Sequence, residues 1–162
     1  MVTTMTKVIV FDLDDTLYDR TGQLDETYKN MLNIKLFSDA VLVLETLKKK
    51  YRLFLVSCGK DEIQHEKIKV LGIGSYFEDF LIVDTQEAKK TALEKILLKT
   101  RVKAADVWVV GDKNISEIRY GNMLGMTTVQ IYHGNHKDFK ETPMDEPNHV
   151  ITRLTELLTL LK

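Results

Sequence analysis

Short apolar runs alternate along the chain with longer stretches whose apolar residues recur every three or four positions. The runs are "KVIVFD" (7–12), "RLFLVS" (52–57), "DFLIVD" (79–84), "DVWVVGD" (106–112) and "TTVQIYH" (127–133). All but the last are nearly continuous, which predicts strands covered on both faces. The stretches between them predict helices. "SDAVLVLETLKKK" has Ser38 or Asp39 at the N-cap and lysines at its end, where cations suit the helix dipole. "KDEIQHEKIKVLGI" sets Ile63, Ile68 and Leu71 on one face and stops at Gly72. "QEAKKTALEKILLKT" spaces Ala92, Leu93, Ile96 and Leu97 helically. "ISEIRYGNMLG" precedes the fifth run, and "VITRLTELLTLLK" closes the chain with a stripe of Leu154, Leu157, Leu158 and Leu161. This alternation predicts an α/β fold, a three-layer α/β/α sandwich around a mostly parallel five-stranded sheet with right-handed crossovers.

Two segments break the rhythm. Residues 18–37 are polar, with room for a turn and one short helix. Residues 134–148, "GNHKDFKETPMDEPN", hold both prolines and read as a surface loop. Neither suffices for a second domain, so residues 1–162 are expected to form a single domain with a short insert at about 18–37.

Composition narrows the function classes. With 23 Lys plus Arg against 24 Asp plus Glu, the net charge is −1, and nothing points to nucleic acid or an anionic membrane. No run approaches the ~20 apolar residues of a membrane helix. Cys58 is the only cysteine, which excludes an internal disulfide framework and fits a reducing, cytoplasmic setting. The N-terminus has no signal-peptide pattern; the start is Met1 or Met5, residues 1–4 being an extension in the second case.

The chemistry gathers where the strands end. In open parallel sheets, the C-terminal strand ends face a common crevice that binds ligands. The first run ends in Asp12-Leu13-Asp14-Asp15-Thr16, the second in Ser57-Cys58-Gly59 and the fourth in Gly111-Asp112, while Lys89 and Lys90 open the helix after the third. Clustered carboxylates repel, unless a hard dication lies between them. Mg²⁺ takes about six oxygens and commonly one or two carboxylates plus a substrate phosphate. A serine hydroxyl, an ammonium and loop N–H groups are donors for phosphate oxygens. One carboxylate can attack phosphorus, and a second, two residues on, can exchange protons with the leaving group and then with water.

"FDLDDTL", "LFLVSCG", "KKTALEKIL" and "VVGDKNISEI" together resemble the haloacid dehalogenase superfamily of phosphohydrolases, over nearly the whole chain. The resemblance implies a Rossmann-like fold with strand order 5-4-1-2-3. It implies that Asp12 is nucleophile and Mg²⁺ ligand. Asp14 would be the general acid/base and give its backbone carbonyl to the metal. Ser57 and the N–H of Cys58 would bind the phosphoryl group. Cys58 stands where the family usually has Asn. Lys89, which precedes an Ala-Leu pair by three and four residues, is the implied phosphate-binding lysine, with Lys90 the alternative. Asp112 is an implied metal ligand. Glu117 stands where Asp is commoner, and either reaches metal through water or pairs with the lysine. Asp14 favours phosphate chemistry over dehalogenation. The short 18–37 segment resembles a minimal cap, which implies an open site that takes a large substrate or borrows a lid from a neighbouring subunit.

Other residues read more plainly. Asp15 and Asp19 are loop charges or caps. Cys58 is a small packing residue near the site, and Trp108 belongs to the core. His133 and His136 are surface-loop histidines, lacking further ligands. The C-terminal leucine stripe packs on the sheet, with a homodimer seam as the alternative. The expectation is therefore a Mg²⁺-dependent phosphatase acting on a small phosphorylated molecule through an aspartyl-phosphate at Asp12. A phosphomutase with the same motifs and a catalytically idle phosphometabolite-binding module are the alternatives.

Overall fold

The structure is a computed structural model and describes residues 7–133 and 138–162. Both candidate starts, Met1 and Met5, and His136 lie outside the described residues. Among those described, one sheet of six strands is ordered β3-β2-β1-β4-β5-β6 and is parallel throughout. The strands are β1 (Val8–Phe11), β2 (Arg52–Cys58), β3 (Asp79–Val83), β4 (Val107–Gly111), β5 (Thr127–Ile131) and β6 (His149–Ile151). Five coincide with the apolar runs, and their order is the expected one.

The sixth corrects the sequence reading. "HVI" opens what periodicity suggested was the closing helix. It pairs instead with the edge of β5, Val129 against His149 and Ile131 against Ile151. Only a 3₁₀ turn (Leu154–Glu156) and a short helix α6 (Leu157–Leu160) follow. The leucine stripe persists across that change. Leu154, Leu157 and Leu161 are buried in the core beneath the sheet, as expected for packing rather than a seam.

The other helices are α1 (Arg20–Gln23), α2 (Ala40–Lys48), α3 (Asp61–Leu71), α4 (Ala88–Thr100) and α5 (Arg119–Met123). Alternation along β1 sorts the layers. Ile9 and Phe11 face one cluster with α2, α3 and the C-terminal leucines, whereas Val8 and Val10 face a second with α4. All four are at most 1 % exposed, which is why the run shows no polar alternation. Gly72 ends α3 at φ 68°, a left-handed cap that glycine adopts without steric cost.

β1 is the switch point. The chain runs from β1 outward through β2 to β3, then returns to the other side of β1 with β4. Phe11 pairs in register with Val110, so the residues just beyond, Asp12 and Asp112, emerge side by side at the crevice. The insert between Leu17 and Phe37 folds back over this edge. Tyr18 bridges to Asp14 and to Leu36, and Leu17 accepts the N–H of Phe37 at 2.9 Å. No helix among the described residues is long and apolar enough to cross a membrane.

Candidate active site

The residues beyond β1 and β4 build a buried charge cluster. Carboxylate oxygens of Asp12, Asp112 and Glu117 lie within 4.8 Å of one another. Lys89, 2 % exposed on the first turn of α4, points its ammonium into them. Its Nζ is 3.0 Å from Asp12 Oδ1 and 2.9 Å from Glu117 Oε2. Lys90 instead pairs with Glu94 at 3.2 Å near the surface. The geometry thus separates the two lysines.

Glu117 owes its place to a break in the helix. "ISEIRYGNMLG" is not one continuous helix: a π-type turn over Asn114–Ile118 contains Ser116 at φ −127°, ψ −106°, before α5 begins. Such turns insert a residue and re-aim a side chain. Glu117 Oε1 accepts the backbone N–H groups of Asp112 at 2.9 Å and Lys113 at 3.0 Å. Its other oxygen is taken by Lys89. Glu117 thus pairs with the lysine, one of the two readings open from sequence.

The electrostatics follow from burial. Burial alone would raise the Glu117 carboxyl, but Lys89 and the two N–H donors hold it down at about 2. Burial would lower the Lys89 ammonium, and the adjacent Asp12 and Glu117 carboxylates raise it instead. Asp12 and Asp112 are both pushed up, first by burial and then by Glu117. Among the described residues, Asp112 Oδ1 is buried without a hydrogen-bond partner. Two carboxyls driven toward their neutral forms, one with an orphaned oxygen, fit a hard divalent cation held by oxygen ligands, which would restore both charges. Asp12 and Asp112, with Glu117 beside them, are the side chains that could hold it.

Asp14 sits beside this cluster in a separate clamp. Its Oδ1 accepts the Tyr18 hydroxyl at 2.6 Å and the Lys67 ammonium at 2.8 Å, and its Oδ2 accepts Gln64 Nε2 at 3.2 Å. Burial and the Asp14 charge push the Tyr18 phenol well up, so it remains a donor. Gln64 Nε2 also donates to Ser57 Oγ at 2.5 Å. Ser57 is fully buried at the end of β2. A hydroxyl that accepts this bond keeps its own proton for another acceptor.

A cleft of about 350 Å³ opens over the cluster, lined by Asp12, Asp14, Cys58 and Lys89, with Arg20 and Lys113 at its sides. Cys58 contributes its edge; burial raises its thiol, so it stays protonated and behaves as a packing group. Asp15 and Asp19 serve the insert. Asp15 accepts Thr21 N and Oγ1 at 2.9 and 2.7 Å, and Asp19 accepts Gly22 N at 2.8 Å.

Sequence reasoning missed Tyr18, Gln64 and Lys67. The signal was present: Gln64, Lys67, Ile68 and Leu71 follow the three-to-four spacing of one buried helix face. Two polar residues in a core stripe need polar partners, and Asp14 is theirs. The 138–148 segment also departs from a plain surface loop. Asp145, fully buried, accepts Arg119 Nε and Nη2 at 2.6 and 2.8 Å. Asn114 ties this segment to the site through the Asp145 carbonyl at 2.9 Å and Gln130 Oε1 at 2.9 Å. His133 stacks on Phe37 with centroids 4.3 Å apart, and half-buried Trp108 stacks on His149 at 5.5 Å.

A family model for haloacid dehalogenase-like hydrolases matches residues 21–131. Curated relatives include glyceraldehyde 3-phosphate phosphatase of Pyrococcus furiosus, 29 % identical over 123 residues, covering 74 % of this chain and 51 % of that protein. N-acylneuraminate-9-phosphatase of Mus musculus is 29 % identical over 131 residues, covering 78 % and 52 %. The chain thus spans about half the length of the curated relatives it matches. Among solved structures, the haloacid dehalogenase-like family protein SP0104 of Streptococcus pneumoniae superposes with TM-score 0.78 at 16 % identity, covering 99 % of this chain and 100 % of that one. A 2-haloacid dehalogenase of Pseudomonas syringae does so at 0.74 and 17 % identity, covering 97 % and 98 %. Phosphatases and dehalogenases therefore share this fold, and reaction type has to be argued from the site.

Proposed function

The chain belongs to the haloacid dehalogenase-like hydrolase family, and from that premise we propose that it is a cytoplasmic Mg²⁺-dependent phosphatase, a single domain with a minimal cap. It would hydrolyse a small phosphate monoester through an aspartyl-phosphate on Asp12. The observation that carries this reading is the pairing of a buried Asp12, 3.0 Å from Lys89, with a second carboxyl, Asp14, facing the same cleft.

Asp12 attacks phosphorus as the ester P–O bond breaks, and Asp14, once it has taken up a proton from solvent or from the ester monoanion, passes it to the departing oxygen. Asp14, now ionised, takes a proton from water; the resulting hydroxide attacks phosphorus, releasing phosphate and restoring the Asp12 carboxylate. Lys89 keeps one N–H beyond those directed at Asp12 and Glu117, and Ser57 keeps its hydroxyl proton, so both can hold phosphoryl oxygens. Asp12 and Asp112 would hold a divalent ion, which would supply charge neutralisation for the phosphate and keep Asp12 ionised. An Asp two residues after the nucleophile favours this over dehalogenation, which needs no leaving-group acid.

The relatives' named substrates, glyceraldehyde 3-phosphate and N-acylneuraminate 9-phosphate, are small phosphate esters, and a cleft near 350 Å³ suits that class. A panel of phosphorylated metabolites with Mg²⁺ tests the proposal. Turnover is expected for the wild type and not for Asp12→Asn; near-wild-type turnover by that variant overturns it.

A further inference from the structure

Lys67 is 2 % exposed, yet it carries an ammonium. Burying a charge without a partner is strongly unfavourable, so its placement calls for a reason. Its Nζ lies 2.8 Å from Asp14 Oδ1 and 5.9 Å from the ring centroids of both Tyr18 and Tyr28. Those rings come from the insert, whereas Lys67 comes from α3. Two aromatic faces and one carboxylate thus hold the ammonium in place. Asp14, by contrast, is 26 % exposed at the cleft, and a short side chain there has several rotamers available.

Gln64, one turn earlier on α3, completes the hold. Its Nε2 spans Asp14 Oδ2 at 3.2 Å and Ser57 Oγ at 2.5 Å. Gly59 leaves the room: a Cβ there would lie 2.9 Å from Gln64 Cδ. One helix face therefore grips both the group read as acid/base and the hydroxyl read as a phosphate ligand.

We propose that Lys67 is a positioning residue for Asp14, fixing the carboxylate against the transferring phosphoryl group, with Gln64 tying it to Ser57. This rests on the reading of Asp14 given under the proposed function. A displacement of about 1 Å at a reacting group can change rate by ~10²-fold. The Lys67 hold on Asp14 therefore acts on the chemical step, whereas Gln64 also reaches the phosphate side through Ser57. The Lys67 hold matters for both proton transfers, since Asp14 serves the leaving group first and water second.

The test compares wild type, Lys67→Met, Lys67→Arg and Gln64→Leu with Mg²⁺ and a series from 4-nitrophenyl to phenyl phosphate. Lys67→Met is expected to lower kcat by about 10–100-fold while KM rises by no more than about threefold, and falls where the phosphoryl intermediate accumulates. The loss should grow as the leaving group becomes more basic. With 4-nitrophenyl phosphate, whose departure needs little acid help, acid-quenched Lys67→Met should carry more phosphoryl on Asp12 than wild type does. Lys67→Arg should recover part of kcat, and Gln64→Leu should repeat the kcat loss and its growth with leaving-group basicity if Lys67→Met does not fold. An unchanged kcat, or a rise in KM alone, overturns the proposal. A crystal structure of Lys67→Met or Gln64→Leu gives a readout independent of turnover: Asp14 in an unaltered single rotamer also overturns it. Failure of the wild type to hydrolyse any ester would strike the phosphatase reading, and the Asp14 rotamer would still decide this one.

Discussion

Gly111 and Glu117 occupy one volume: a Cβ on Gly111 would lie 2.1 Å from Glu117 Cγ and 2.2 Å from Oε1. That closeness lets the carboxylate lie under the turn and accept the N–H groups of Asp112 and Lys113. A Cβ meeting a buried side chain with no free space forces the neighbours apart. Gly111→Ala is expected to destabilise the protein by about 1–3 kcal/mol, as overpacking does. It should also misplace Asp112. Chemical denaturation alongside Mg²⁺ titration checks both effects; an unchanged midpoint and unchanged metal response would count against them.

Glu117 is as much a structural counter-ion as a site residue. Glu117→Ala leaves two N–H groups without acceptors and Lys89 with Asp12 alone. Removing one partner of a buried pair typically destabilises by about 3–5 kcal/mol. Glu117→Gln retains an acceptor oxygen for the N–H groups, so its loss should be smaller. Urea melts of the two variants should rank in that order.

Much of this was legible before any coordinates. The five apolar runs became strands because continuous burial leaves a continuous apolar signature; Asp12 and Asp112 stood out because each ends such a run, whereas position alone left Lys89 and Lys90 open and the family resemblance selected Lys89. β6 was not legible: "HVI" is a three-residue edge strand whose exposed Val150 and partly buried His149 carry no period, and the following leucines imposed a helical one. The kink at Ser116 was hidden for a related reason, since a π-type turn keeps a helix-like composition. Lys67 drew no notice because α3 carries many charges, and only the three-to-four spacing with Ile68 and Leu71 marks it as inward-facing. The 138–148 segment looked like loop because its order comes from one buried ion pair and scattered side-chain-to-backbone contacts, which leave no periodic pattern.

That ion pair makes stability pH-dependent. Hydrogen bonds from Arg119, reinforced by the N–H groups of Glu141 and Thr142, hold the Asp145 carboxyl well below the usual range. A folded-state value below the unfolded one stabilises the fold at pH above the unfolded value, about 3.9, and the contribution is lost as pH falls through and below it. Asp145→Asn should therefore melt lower than wild type at neutral pH, with the gap closing below about pH 4. A gap that stays constant across that range contradicts the assignment.

The metal reading has a signature separate from turnover. A ligand that binds only the folded state stabilises it, by about 2.7 kcal/mol at a hundredfold excess over Kd. Mg²⁺ should raise the melting temperature of the wild type and chelation should reverse it. Asp112→Asn should lose that response. An equal Mg²⁺ shift in wild type and variant would place the ion elsewhere.

The central claim is that Asp12 itself carries the phosphoryl group during turnover. The most direct test is rapid acid quench of wild-type protein turning over 4-nitrophenyl phosphate with Mg²⁺, followed by peptide mass mapping. The account expects one phosphoryl group on the peptide holding Asp12, absent in Asp12→Asn and lost on brief treatment with hydroxylamine. Sustained turnover with the phosphoryl group on Ser57, or turnover by Asp12→Asn at the wild-type rate, would contradict it.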